Sequence, residues 1–356
     1  MNREICLIFG TRPEIIKVAP IIDHLSKKKI PFTTIHSGQH YDKSMSDIFF
    51  EELKLNKPNY NLNLGKKKKN DNFIFSLVNK VEKILIKIRP KIVIVQGDTN
   101  TSLGGAIAVK RANNFLINKI KLAHVESGLR SYDYRMPEEL NRLLIDHMSD
   151  ILFPPTIIQS KILIDEGIPN KKIFIVGSTI ADSLKMMKLK KSKDTNTILL
   201  TIHRHENTQN KKMVISIIEN INKIALKNNY KIIFFCHPKT LKVLNRYKIM
   251  LNNKIILKKP TSYKLFLEEI IKSKIIISDS GGIQEEACIL KKNLITIRKS
   301  TERPETELIG SNFVSLDFSK IQRRIDYLKK QKPKWKSPYG KNVTKKILSI
   351  LIKESL

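Results

Sequence analysis

Asp98, Glu126 and Glu138 lie in "QGDTNTS", "HVESGLR" and "RMPEELNR", three segments whose carboxylates could move protons. Glu126 closes the apolar run "KLAHVES", and a carboxylate at the end of a buried strand is costly unless it is paired. Glu138 and Glu139 fall in the first turn of a helix, where one of them can simply complement the helix dipole. Asp98 has an ordinary alternative as a helix cap, although Thr99 or Asn100 would cap as well. Close carboxylates push their pKa values apart, which supplies one acid and one base. His203 and Arg204, in "TIHRHEN", end another apolar run and add a titratable ring and a cation.

A second set of residues suits an anion. In "GTRPEIIK", Gly10 permits a tight turn and Pro13 opens a helix, whose N-terminus Arg12 and Lys17 can flank. In "SDSGGIQEEA", Gly281 and Gly282 begin a helix. Its backbone N–H groups and positive end form a phosphate seat that glycine lets a ligand approach closely. Ser280 adds a hydroxyl donor. Glu286, four residues past Gly282, would repel a phosphate and is better suited to ribose hydroxyls. Arg303, in "STERPETE", is a further anion contact. The "GTRPEIIK" turn has neither the dinucleotide-binding nor the P-loop glycine pattern. Gln39 and His40, in "SGQHYDKSM", are ligand candidates on what reads equally well as a polar loop.

The elements that must position these residues alternate along the chain. Continuous apolar runs at 4–10, 32–38, 91–97, 121–127 and 172–178 read as strands of a parallel sheet buried on both faces. Helices fill the gaps, near 13–28, 72–88, 101–113, 138–148 and 156–166. A polar stretch at 185–196 reads as a linker. The alternation then restarts, with strands at 197–203, 231–237, 254–259, 274–280, 293–298 and 312–317. Helices are expected near 211–228, 239–250, 263–272, 282–290 and 319–331. The expected fold class is α/β, two doubly wound, Rossmann-like parallel-sheet domains facing across a cleft. Residues 1–185 form the first domain and 186–339 the second, with the tail at 340–356 a helix that returns to the first. The polar motifs follow the strands, where parallel sheets bind ligands.

The bulk composition excludes several classes. A chain of 356 residues exceeds what one core usually supports. No apolar run is long enough for a membrane span, and "MNREICLIFGTRPE" lacks the pattern of a signal peptide. Cys6, Cys236 and Cys288 are dispersed, so neither a disulfide framework nor a zinc site is indicated, and a reducing cytoplasm fits. The net charge of +33 comes mostly from lysine spread along the whole chain, with one dense run at 66–69 read as a solvated loop. Charge of this kind speaks to solubility and non-specific association, not to dedicated nucleic-acid binding.

"GTRPEIIK", "SGQH", "GDTNT", "HVESGLR", "MPEELNR", "HRHEN", "SDSGGIQEEA" and "TERPE", in this order from residue 10 to about 310, resemble the non-hydrolysing UDP-N-acetylglucosamine 2-epimerases. Singly each motif is weak; together they are specific. The resemblance implies a GT-B fold and interconversion of UDP-GlcNAc and UDP-ManNAc with neither a nicotinamide cofactor nor an obligatory metal. It implies elimination of UDP to an enzyme-bound 2-acetamidoglucal, followed by re-addition. By motif matching, Asp98, Glu126 and Glu138 become acid/base candidates and His203 lies near the diphosphate or the C2 proton. Arg12, Lys17, Ser280, Gly281, Gly282 and Arg303 hold UDP, and Glu286 takes the ribose. Gln39 and His40 match a loop that binds a second UDP-GlcNAc as activator in bacterial members. A homodimer is also implied. Two departures are visible: "GLRSYDYRMPEE" is short, like the archaeal form, and His205 stands where arginine is common. The rival readings are an epimerase of UDP-2,3-diacetamido sugars, a GT-B glycosyltransferase and a nucleotide or nucleic-acid binder.

Overall fold

The computed structural model describes residues 5–39, 49–66, 72–227 and 230–355. His40 and Lys67–Lys69 of the lysine run lie outside the described residues, as does the side chain of His205. The chain divides into two compact units, Met1–Met187 with Pro338–Leu356, and Lys188–Ser337.

Each unit is built on a six-stranded, all-parallel sheet. The first holds β1 (Ile5–Phe9), β2 (Phe32–His36), β3 (Tyr60–Asn61), β4 (Ile92–Gln96), β5 (Lys121–Val125) and β6 (Ile151–Phe153), in the order β3-β2-β1-β4-β5-β6. The second holds β7 (Thr197–Thr201), β8 (Lys231–Phe235), β9 (Ile255–Lys258), β10 (Ile275–Ser278), β11 (Asn293–Thr296) and β12 (Asn312–Val314), in the order β12-β11-β10-β7-β8-β9. The two orders are the same doubly wound topology. The direction of winding reverses between β1 and β4 in one unit and between β7 and β10 in the other, and such switch points are where ligands bind.

The strands are continuous apolar runs because helices cover both faces. All five residues of β1 are buried, and so are all five of β4. Helices begin where the sequence offers a cap or a proline. Thr99 accepts the Ser102 N–H at 3.1 Å to cap helix Asn100–Ala112, which leaves the Asp98 carboxylate for other partners. Pro137 opens helix Pro137–Met148.

Three details depart from the expected elements. The run at 172–178 is no strand: Ile173 forms only an isolated bridge with Leu152. The edge position belongs to β6, whose three residues are cut off by Pro154 and Pro155 and carry too little pattern to stand out. The two-residue β3 shows no sequence signal either. Helix Val343–Ser355 packs on helices Arg12–Lys27 and Ile180–Met186 of the first unit.

Candidate active site

At the switch point of the first unit, Glu14 is the hub. Its carboxylate accepts the Gly10 and Thr11 N–H groups at 3.0 and 2.7 Å, and the Thr99 and Ser102 hydroxyls at 2.8 and 3.0 Å. It thereby ties the loop after β1 to the loop after β4. Burial pushes its pKa above the ordinary value, although these donors pull the other way. Gly10 is required here by close approach: a Cβ would stand 1.7 Å from Ser37 Oγ and 2.5 Å from Thr101 Oγ1.

Glu126 follows β5 in the left-handed region, at φ +70°. A non-glycine residue persists there only when its surroundings over-determine it. Lys17 pairs with its Oε2, and Gln96 Nε2 donates to the same oxygen at 2.7 Å. The Glu126 side chain is 9% exposed. The costly strand-end carboxylate is therefore paired, and the cation that the sequence offered to an anion is its partner.

Asp98, after β4, is fixed by Arg142, whose Nε and Nη2 reach Oδ2 at 2.8 and 2.5 Å. Arg142 Nη1 also pairs with Glu139. Glu139, wholly buried, accepts from the Ser131 N–H and hydroxyl and from the Tyr132 N–H. The adjacent carboxylates of the first helical turn are thus separated: Glu139 is structural, and Glu138 is exposed. Arg12 lies 4.3 Å from the centre of the Phe49 ring. Gln39 Oε1 accepts from the Thr101 hydroxyl at 2.7 Å and its N–H at 3.2 Å, at the start of helix Asn100–Ala112.

In the second unit Asp279, just after β10, organises the switch point. It accepts the His203 and Arg204 N–H groups at 3.0 and 2.9 Å and the Asn207 amide at 3.1 Å. His203 Nδ1 lies 3.4 Å from the same carboxylate, with the side chain 42% exposed. Ser280 is the N-cap of helix Gly281–Ile289. The two glycines that follow turn out to serve different ends. A Cβ on Gly281 would stand 2.2 Å from Glu302 Oε1, whereas one on Gly282 would meet nothing within 4 Å. Gly281 makes room for a carboxylate of the chain itself, and only Gly282 opens onto space. Glu302 is neutralised by Arg298, with Nη1 at 2.6 Å, and faces Arg204 at 3.8 Å.

Two further site candidates have partners within the chain. Arg303 was expected to contact an anion directly. Its Nε donates to the Gly281 carbonyl at 3.2 Å and its Nη2 lies 3.0 Å from Glu285, with the side chain 4% exposed, so it braces the helix start from behind. Glu286 accepts from the Tyr263 hydroxyl at 2.7 Å, which orients its carboxylate. Sequence reasoning missed Glu14, Gln96, Arg142, Asp279 and Tyr263. The first four sat inside quoted motifs, but which of several adjacent polar residues turns inward depends on tertiary partners. Among the described residues, no group of three or more His, Cys, Asp or Glu could hold a metal ion, and no helix is long and apolar enough to cross a membrane.

Residues 23–352 match the family model described as UDP-N-acetylglucosamine 2-epimerase. A UDP-N-acetylglucosamine 2-epimerase of Methanocaldococcus jannaschii is 43% identical over 355 residues, 95% of this chain and 95% of that protein. A UDP-2,3-diacetamido-2,3-dideoxy-D-glucuronate 2-epimerase of Pseudomonas aeruginosa is 34% identical over 318 residues, 87% of each chain. The crystal structure of the M. jannaschii UDP-GlcNAc 2-epimerase in complex with UDP-GlcNAc and UDP is similar at a TM-score of 0.88 and 42% identity, covering 98% of this chain and 99% of that one.

Proposed function

We propose the reaction of this protein from one premise: the chain belongs to the UDP-N-acetylglucosamine 2-epimerase family. It interconverts UDP-GlcNAc and UDP-ManNAc. The observation that carries the reading is Glu126, a carboxylate 9% exposed and in a strained conformation just after β5, held by Lys17 and Gln96. Such placement serves proton transfer rather than stability.

In the forward direction a carboxylate takes the C2 proton while the C1–O bond to UDP breaks, leaving a C1=C2 double bond in 2-acetamidoglucal. A proton then returns to the opposite face of C2 and a UDP oxygen re-forms the bond to C1. Asp98, Glu126 and Glu138 carry these protons. The C2 hydrogen is weakly acidic, so the step depends on stabilising the departing diphosphate. Arg12, Lys17, His203, Ser280 and the backbone of Gly281 and Gly282 do this, with Arg303 bracing the Gly281 turn. Glu286, oriented by Tyr263, takes the uridine ribose. Gln39 and His40 mark the loop proposed for a second, activating UDP-sugar. The enzyme is proposed to act as a cytoplasmic homodimer. A second reading, in which the sugar carries a 3-acetamido group, is favoured by the similarity to the diacetamido-glucuronate epimerase.

Proton NMR of the protein with UDP-GlcNAc in D₂O tests this. A mixture of both UDP-sugars with deuterium at C2 is expected. Release of free ManNAc and UDP would point to a hydrolysing enzyme, and inertness to UDP-GlcNAc with turnover of the diacetamido sugar would select the second reading.

A further inference from the structure

His124 lies on β5 two residues before Glu126 and is 1% exposed. Its Nδ1 faces Asp146 Oδ1 at 2.7 Å, and its Nε2 faces the Gly97 carbonyl oxygen at 2.9 Å. Both partners are acceptors. A neutral imidazole has one N–H and one lone pair, so either tautomer would set a lone pair against an oxygen. Rotating the ring by half a turn would instead put carbon at both contacts.

The surrounding charges agree with a cation. Asp146 also accepts the Gly128 N–H at 3.1 Å and lies 2.8 Å from Arg130 Nη1. Arg130 in turn pairs with Glu166, Nε and Nη2 reaching its two oxygens at 2.8 and 2.6 Å. With His124 protonated, the cluster of His124, Arg130, Asp146 and Glu166 is neutral. With it neutral, the cluster keeps a net negative charge beside the fully buried Asp146, which is unfavourable.

We infer that His124 is a permanently protonated imidazolium that clamps the Gly97 carbonyl and so positions Asp98, the next residue, for proton transfer. The clamp acts where the backbone turns, since Gly97 sits at φ +70°, a conformation that glycine adopts freely. His124 touches neither substrate nor reacting atoms; it is a positioning residue. The role rests on the epimerase reading, but the protonation state does not.

The test uses the full chain labelled with ¹⁵N-histidine, the His124 signals being assigned by their loss in His124→Phe. We expect both ring nitrogens to carry protons throughout the neutral pH range. An unprotonated ring nitrogen at neutral pH would overturn the inference. In Asp146→Asn, the ring should lose one proton. Turnover supplies the second readout. With folding confirmed by circular dichroism, His124→Phe should lose about 10²-fold in kcat, as misplacement of a catalytic group costs, with KM within about twofold because substrate contacts persist. A folded variant with unchanged kcat would leave His124 a purely structural residue and overturn the positioning role. Should His124→Phe fail to fold, His124→Gln provides the same kcat-against-KM comparison, and the NMR result on the unaltered chain stands. Absence of any turnover by the unaltered chain would instead sink the epimerase reading and leave the imidazolium decided by NMR.

Discussion

The two units share one topology and use it in opposite ways. In the first, the loops after β1, β4 and β5 present charged side chains: Lys17 with Glu126, Arg142 with Asp98, and Glu14 joining two loops. In the second, the corresponding loops follow β7, β10 and β11, and their central carboxylate, Asp279, is spent on backbone N–H groups. What it organises is a turn with a glycine opening onto space. On the proposed function, the first unit supplies the proton-carrying side chains and the second a backbone turn for the diphosphate. The contrast teaches that a doubly wound sheet fixes where a site lies, whereas the loop residues decide what it does.

The largest effect should come from the first unit. Asp98→Asn or Glu126→Gln is expected to lower kcat by about 10²–10⁴-fold, the range for a lost proton carrier. UDP affinity by calorimetry should stay within about tenfold, because these two carboxylates are proposed to carry protons and not to hold UDP. Near-normal turnover in both variants would dissolve the contrast.

Arg142→Ala should cost about 3–5 kcal/mol of stability, as removing one partner of a buried pair does. It leaves the fully buried Glu139 and the Asp98 carboxylate without their shared cation. Arg142→Lys should recover little, since a single ammonium cannot reproduce the fork of donors. Denaturant unfolding of both variants measures this, and an unchanged midpoint would mean that Glu139 is satisfied by its backbone donors alone.

Acid should strike the first unit through Asp146. Burial raises its pKa, but the hydrogen bond and charge of His124, together with Arg130, outweigh this and hold it below the ordinary value. A carboxylate with a depressed folded pKa stabilises the fold above its unfolded value and loses that contribution as pH falls through the folded one. Amides of β5 and helix Pro137–Met148 should therefore exchange faster below about pH 4. In Asp146→Asn this acid dependence should flatten.

Much of this arrangement is legible in the sequence. The strands show because burial on both faces makes them continuous apolar runs, and the helices show through their periodicity and caps. β6 escapes because Pro154 truncates it to three residues. The run at 172–178 misleads because apolar character specifies burial and not pairing: Ile173 is buried yet makes a single bridge. At the site, motif order locates Asp98, Glu126 and Ser280–Gly282, since they follow strands. Residue type and spacing alone do not tell Glu138 from Glu139, because adjacent helical residues share composition and differ only in the direction each faces; the motif match is what singles out Glu138. Nor does it reveal that Arg303 turns inward to Glu285, a partner eighteen residues earlier in the chain.

Within the second unit, Arg303→Ala should weaken UDP binding by about tenfold, the loss of roughly one charge-assisted hydrogen bond. Because the guanidinium braces the Gly281 carbonyl, stability should fall together with affinity. Weaker UDP binding at unchanged stability would restore Arg303 as a direct anion contact.

The smallest effect separates the paired glycines. Gly281→Ala forces its Cβ onto Glu302, whose movement is resisted by Arg298 at 2.6 Å, so overpacking by about 1–3 kcal/mol is expected. Gly282→Ala meets nothing within 4 Å. The second variant should be stabilised by about 0.4–1 kcal/mol, because alanine restricts the unfolded chain more than glycine does. Its UDP affinity should nevertheless fall, since the added methyl occupies space a diphosphate needs against the helix end. Thermal unfolding and calorimetry on both variants separate the effects. Loss of affinity without loss of stability at Gly282, and the reverse order of effects at Gly281, would assign the open face of this turn to the ligand. Equal behaviour at both positions would mean that the turn opens on solvent alone and that the diphosphate is held by side chains.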